Sequence, residues 1–577
     1  MDFFIKKQGG IKTMRKKLLS TLAMLMVCSM SLTACSSSKT TSSESTNAST
    51  ESSSESSVDA SELGFTLAED QTLRLNLGAD PLTLDPQLNS AADGSHIINN
   101  TYEGLMREVD GEIVPGIAES YTVSEDGLVY TFTLRDSKWS DGEPLTAKDF
   151  EFAWKRGANP ALASEYMYIF ESANILNAGE IGKGKMSIDE LGVKALDDKT
   201  LEVTLSVPTE YFLQLACYPT LMPVREDVVD NDGVWAKDPS KIVSNGPFVL
   251  TEYKMGDQLV LSKNENYWNA EEVTLEKIIC YMIVDESTAH TKYTSGQLDI
   301  NEFIPADEMP KLIAEDPTFY ILDKVGTYYY AFNMNNEAIK DVRVRKALSL
   351  AINREQIVNE VTRSGQVVAH GFMPDAVSDH EGNAFNETAG TYDVVDKGDV
   401  EAAKALLAEA GYPDGAGLPE IEILYNTSES HKKIAEALQE MWKQNLGINV
   451  KLTNQEWAVF QETTNNNEFD SLARRGWIGD YNDPQTMLEI FETNNGQNVG
   501  RYSSAEFDAA MTASRKTTGA ERMEYLFQAH DILMEDMPII PIYYYSYPIM
   551  IQDTVEGWEI TPMSKMWLGH AKMVVVE

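Results

Sequence analysis

The stretch from Ile421 to Leu452 narrows the fold more than any other part of the chain. Ile421 to Tyr425 reads as a strand, Lys432 to Asn445 has helical spacing closed by Gly447, and Ile448 to Leu452 reads as a strand again. That order is a βαβ unit. Asp399 to Ala410 is a second helix, with Asp399 placed to cap its start and Gly411 and Pro413 ending it. Val342 to Asn353 is a third, with Leu348, Ala351 and Ile352 on one face. Strands alternating with helices predict a mainly parallel sheet with ligand sites at its strand ends.

The first half has a different grain. Thr72 to Leu77 alternates polar and apolar residues like an edge-to-core strand, and a loop punctuated by Pro81 and Pro86 follows. Leu128 to Leu134 and Leu201 to Leu205 alternate too, the second after the turn signal Asp197-Asp198-Lys199. These predict antiparallel sheet. With 577 residues the chain exceeds what one core fills, so two or three compact units are expected, with room for a cleft between lobes.

The N-terminal segment has another purpose. Lys12, Arg15, Lys16 and Lys17 precede an apolar run from Leu18 to Val27, the pattern of an export signal. Met14 directly precedes the basic cluster, so either Met1 or Met14 serves as the start. Leu32-Thr33-Ala34-Cys35 resembles the lipobox of bacterial lipoproteins, in which the cysteine carries a diacylglycerol and becomes residue one. A lipid on Cys35 anchors a chain without a membrane-spanning helix, and no later stretch has the roughly 20 apolar residues a span needs. Residues 36–62 are nearly all Ser, Thr, Glu, Asn and Ala, a composition that buries too little apolar surface to order itself. The segment 35–62 reads as a flexible tether.

The formal charge is −43, and loss of a leader holding six Lys or Arg and one Asp leaves −48. That balance argues against nucleic acid as a partner and suits a solute-exposed protein touching the membrane only through its anchor. Of 4 cysteines, Cys28 leaves with the leader and Cys35 is the lipid site. Cys217 and Cys280 are either buried thiols or a disulfide. The chain has no Gly-x-Ser-x-Gly, no His-Glu-x-x-His, no phosphate-binding Walker loop and no Gly-rich dinucleotide turn, so no enzyme is expected. His96, His290, His370, His380, His431, His530 and His570 lack metal-ligand spacing, and neither metal nor cofactor is expected.

Several motifs carry a family resemblance from about Thr66 to Val574. Tyr102-Glu103-Gly104-Leu105, Pro115 to Ser120, Lys138 to Gly142 running on to Thr146-Ala147-Lys148-Asp149-Phe150, Asn245-Gly246-Pro247 and Asp341 to Arg345 are among them. So are Asn454-Gln455-Glu456-Trp457 and Gly476-Trp477-Ile478-Gly479-Asp480-Tyr481-Asn482-Asp483-Pro484. The sequence resembles the oligopeptide-binding lipoproteins of ABC importers, in the extracellular solute-binding protein family 5 that also holds dipeptide and nickel binders. The resemblance implies an α/β, two-lobed periplasmic-binding-protein-like fold of class II, with an extra subdomain on the first lobe. After the signal (1–34) and tether (35–62), lobe I would use 64–102, 226–291 and 547–577, the extra subdomain 103–225, and lobe II 292–546. It also implies a monomer outside the cell membrane, of Gram-positive lipoprotein type, that passes short peptides to an ABC permease. A peptide-pheromone receptor and a dipeptide or metal-chelate binder are the alternatives on the same fold.

A short peptide always brings an ammonium, a carboxylate and backbone amides. By resemblance Asp480 pairs with the ammonium, although the residues alone also allow an Asp capping the turn before Asn482 and Pro484. The backbones of Gly476 and Ile478 on one lobe, and of Ala92 on the other, would take the peptide as an added strand. Trp457 and Trp477 match aromatics lining side-chain pockets, and Tyr166 and Tyr545 match further contacts. Arg474 and His431 occupy positions that meet the ligand carboxylate in relatives, while His431 equally suits the first turn of a solvated helix. The chain departs from relatives at Ser90, Gln297 and Thr464, where charged groups are expected near the ligand.

Overall fold

A computed structural model describes residues 65–577 apart from 110–111, 210, 231–232, 391 and 577. The expected signal, Cys35 and the tether lie outside the described residues. No helix among the described residues is long and apolar enough to cross a membrane.

The chain begins its main sheet with β1 (Thr72–Asn76), then forms α1 (Ala92–Thr101). Next come β2 (Ala118–Val123), β3 (Val129–Leu134), α2 (Ala147–Ala158), β4 (Val193–Ala195) and β5 (Thr200–Thr204). These strands make a separate antiparallel sheet in the order β2-β3-β5-β4. The alternation at 128–134 and 201–205 thus forms the expected antiparallel ladder, with Phe132, Leu134, Leu201 and Val203 buried on its inner face. Thr146 and Asp149 form a capping box that starts α2, whose Phe150 and Trp154 are fully buried beneath it.

The chain returns to the main sheet with β6 (Phe248–Lys254), β7 (Gln258–Lys263), β8 (Lys277–Tyr281), β9 (Ile300–Asn301) and the 14-residue β10 (Phe319–Phe332). Then follow α3 (Val342–Leu350), α4 (Val400–Glu409), β11 (Ile421–Asn426), α5 (Glu429–Leu446) and β12 (Val450–Gln455). Helix α6 (Trp457–Asn465), β13 (Leu472–Ile478) and the 13-residue β14 (Ile539–Ile551) complete the set that positions the site. The sheet runs β12-β11-β13-β10-β14-β9-β1-β8-β7-β6.

The βαβ unit has the expected parallel partner strands, Ile421 facing Val450 through Asn426 facing Gln455. Helix α5 starts a turn earlier than its spacing suggests, because the Ser428 hydroxyl accepts from the His431 amide and caps it. Its buried stripe, Ile434, Ala435, Leu438, Trp442 and Leu446, lies against the sheet, and the Trp442 indole donates to Leu348 O of α3 at 2.8 Å. Gly447 ends α5 at φ +68°, where an added Cβ would lie 2.7 Å from Asp414 O. Asp399 caps α4 by accepting from the Ala402 amide at 2.9 Å, as its position predicted.

Three expectations change. The main sheet is mixed rather than mainly parallel: β10 pairs antiparallel with β13 and β14, and β6 to β8 form an antiparallel meander. Strand β1 is interior, with parallel neighbours β8 and β9 on its two edges. The boundary expected at 291 moves. Ile300 pairs with Leu75 of β1, Phe319 with Met550, and Tyr293, Leu298, Ile304, Met309 and Leu312 share a small core with Phe319. Residues 292–322 therefore complete the first half of the sheet, and the chain passes between halves within β10 and β14. Their register shifts there, between Asp323, which faces Ser546, and Thr327, which faces Tyr544. Cys217 and Cys280 are buried free thiols, and burial pushes the Cys217 thiol up to about 12.

Candidate ligand-binding site

Strand β13 positions most of the site, and its register decides which of its groups are available. Asn333 N–H donates to Ser471 O at 2.9 Å and Gly479 N–H donates to Val325 O at 2.9 Å. An antiparallel ladder alternates, so Ala473, Arg475 and Trp477 bond to β10, while Arg474, Gly476 and Ile478 turn their N–H and C=O toward the other edge. On that edge β11 reaches only as far as the Leu424–Ala473 pair. Beyond it the edge of β13 is open and borders a cavity of about 230 Å³.

The cavity draws on sequence-remote segments. Ser90 comes from the loop before α1, Ala92 and Ser95 from its first turn, Tyr166 and Tyr218 from the region of the small sheet, and Trp457, Phe460 and Gln461 from α6. Arg474 to Asp480, Gln497, Tyr545, Met563, Ser564 and Lys565 line the rest. Gly476 is required by close approach, since a Cβ there would lie 2.2 Å from the Tyr545 hydroxyl.

Asp480 sits 4% exposed at one end. Its carboxylate accepts from the hydroxyls of Tyr218 at 2.7 Å, Tyr168 at 2.8 Å and Tyr166 at 3.3 Å. Its amide donates to Thr486 Oγ1 at 2.9 Å, and Lys565 Nζ donates to its carbonyl at 3.0 Å. Burial pushes the carboxyl up to about 6, opposed by the Tyr218 and Tyr168 hydroxyls, the Lys565 charge and the Tyr166 hydroxyl. The result is a desolvated acid whose ionised form gains from a nearby cation.

At the other end Arg474 donates to the Tyr545 hydroxyl at 3.1 Å and reaches Asn426 Oδ1 at 3.4 Å, with its guanidinium 4.9 Å from the Tyr328 ring centroid. Trp477 donates its indole N–H to Thr486 O at 2.7 Å, which fixes one wall, and Trp457 stacks on Phe460. Nine of the expected site residues, Asp480, Trp477, Gly476, Ile478, Arg474, Trp457, Tyr166, Tyr545 and Ala92, share the cavity lining. His431 does not: it stands behind Tyr328, with Nδ1 3.3 Å from that hydroxyl, and burial followed by the Arg474 charge holds it well below the usual imidazole range. Of the departures, Ser90 lines the cavity, Thr464 is buried beside Arg475, and Gln297 lies exposed at a distant turn.

Sequence reading missed Tyr168, Tyr218, Lys565 and Arg475. The Tyr-Met-Tyr spacing at 166–168 was a local signal for the first, while Tyr218 and Lys565 reach Asp480 only through the fold. Among the described residues no cluster of His, Cys, Asp and Glu could hold a metal ion.

Residues 112–499 match the model of bacterial extracellular solute-binding proteins, family 5 Middle. This chain belongs to that family. The family 5 protein is 39% identical over 500 residues to the periplasmic oligopeptide-binding protein OppA of Escherichia coli K12, covering 86% of this chain and 91% of that one. It superposes with a TM-score of 0.83 on Haemophilus influenzae OppA in complex with RPPGFSPFR, at 33% identity, covering 88% and 100%. Against the Escherichia coli murein tripeptide binding protein MppA the score is 0.81 at 35% identity, covering 89% and 100%. Against the unliganded open form of MppA it falls to 0.61 at 34% identity, covering 89% and 99%. With near-equal coverage, this family 5 protein is less similar to the open form of MppA than to the other MppA structure, and the hydroxyls of Tyr166, Tyr168 and Tyr218 reach Asp480 at the cavity.

Proposed function

We propose that this solute-binding protein captures short peptides between its two lobes and delivers them to an ABC transporter permease. The observation that carries this reading is the open edge of β13 beside a buried carboxylate. Arg474, Gly476 and Ile478 offer backbone groups to an added strand, and Asp480 is placed for its ammonium. Contacts of that kind ignore side chains, which suits a site for varied sequences. Arg474, lacking any carboxylate within salt-bridge distance among the described residues, is placed for the ligand's carboxylate, with His431 acting behind it through Tyr328. The names of the relatives, oligopeptide-binding and murein tripeptide binding, support the ligand class. The lobes pivot where β10 and β14 cross, near 323–327 and 544–546, and the chain acts as a binder without catalysis. Cys35 bears the lipid that holds the protein outside the membrane, on the tether of residues 36–62.

Native mass spectrometry of protein purified from rich medium tests the reading. A series of short peptide masses is expected on the wild type and depleted on Asp480→Ala. A bare protein, or one non-peptide mass, would overturn peptide capture.

A further inference from the structure

Arg475 is 8% exposed and lines the cavity, on the face of β13 opposite Arg474. Its neighbours are neutral: Nη2 donates to Gln497 Oε1 at 3.1 Å, Nη1 reaches Thr464 Oγ1 at 3.4 Å, and Nε is buried without a partner. The other deeply buried arginines of this half are satisfied differently, Arg522 by the Asp483 carboxylate and Arg354 and Arg345 by acceptors of the fold. Arg354 donates to Pro541 O, Ser349 O, Val395 O and Ser349 Oγ. Arg345 donates to Ile339 O, Lys340 O, Asp536 O and Met537 O. The forks of Arg354 and Arg345 are filled by backbone carbonyls and, for Arg354, one hydroxyl, and serve the fold. Arg475 has a guanidinium held at the wall of a cavity by neutral side chains, Gln497, Thr464 and the Tyr329 hydroxyl, with its Nε left without a partner, and no carboxylate lies within 4 Å of it among the described residues.

The charges of the cavity point the same way. Arg474, Arg475 and Lys565 line it against one acid, Asp480. A peptide with uncharged side chains brings one ammonium and one carboxylate, which leaves that excess of positive charge at the cavity unmatched, Arg475 being the buried member. A strand added along the open edge of β13 puts every second side chain on the face that holds Arg475 and Trp477.

We propose that Arg475 selects peptides bearing an aspartate or glutamate side chain on that face, so that acidic short peptides are the preferred ligand class. This rests on the peptide-binding reading and deepens it. The planar fork of the guanidinium accepts a carboxylate in two parallel bonds, and a desolvated site strengthens each one. Asp480 and Arg474 hold the two ends of the peptide in register while Arg475 reads one interior side chain.

Calorimetric titration with Ala-based tri- and tetrapeptides, carrying Glu or Gln at each position in turn, tests this. At one interior position the Glu peptide is expected to bind at least about tenfold more tightly than its Gln counterpart. Arg475→Gln should bring that ratio to about one, and Arg475→Lys should keep a preference of the same direction. Equal binding of Glu and Gln peptides by the wild type would overturn the selectivity and leave peptide capture standing, as would a ratio unchanged in Arg475→Gln. Failure of every peptide to bind would overturn the peptide reading itself. The wild-type ratio decides the matter even where a variant folds poorly.

Discussion

Asp480 is held by three tyrosine hydroxyls and still titrates near 6, because burial outweighs those bonds. A carboxyl raised above its unfolded value of about 3.9 favours folding only while protonated. Its contribution is complete below about pH 4 and is lost as pH rises through about 6. In peptide-free protein, Asp480→Asn should therefore match the wild type at pH 4 and exceed its unfolding free energy at pH 7, by roughly 3 kcal/mol where Asp480 stays buried and by less where the cavity opens. Urea unfolding across pH 4 to 7 reads this directly, and parallel pH curves for the two proteins would refute it. Bound peptide should reverse the sign, since an ammonium restores a partner to the ionised form.

At the scale of elements, β13 combines two jobs on two edges. One edge completes the ladder with β10, and the other stays open because β11 stops pairing at Ala473. Gly476 lets Tyr545 close over this strand and hold Arg474. Gly476→Ala should push the Tyr545 hydroxyl aside, free Arg474 and weaken peptide binding by about tenfold, roughly 1.4 kcal/mol, with little change in melting temperature. Unaltered affinity in this variant would show that the Tyr545–Arg474 contact is irrelevant to binding.

At the scale of the molecule, closure joins 165–218 to 465–522 through polar groups. Besides the tyrosines on Asp480, Ser172 donates to Glu489, Tyr211 donates to Gln485 Oε1 at 3.2 Å, and the Asn482 amide donates to Gln214 Oε1 at 3.1 Å. Glu489 accepts from Tyr481 and Gln485, faces Arg515 at 3.6 Å, and stands near Glu492 and Asp480. Burial pushes it up to about 8, so closure without ligand keeps its support at low pH and loses it as pH rises to about 8. The peptide-free protein should expand in X-ray scattering between pH 5 and 8.5, less so for Glu489→Gln, and saturating peptide should return it to the compact profile. Identical profiles at both pH values would remove Glu489 and Asp480 from the closing equilibrium.

The βαβ unit, the capped helices and the early antiparallel ladder were legible because each rests on local periodicity and on residues such as Asp399 and Gly447 whose conformational preferences act within a few positions. The Gly476 to Asp480 motif marked the site for the same reason, being one strand and its turn. The sequence alone could not place residues 292–322, because only pairing with β1 and β14 decides which half of the sheet they join. Nor could it show that Tyr168, Tyr218 and Lys565 surround Asp480, or that no carboxylate among the described residues lies within 4 Å of Arg475. Those facts depend on which side chains, distant along the chain, are buried together, and burial is settled only when the lobes are packed.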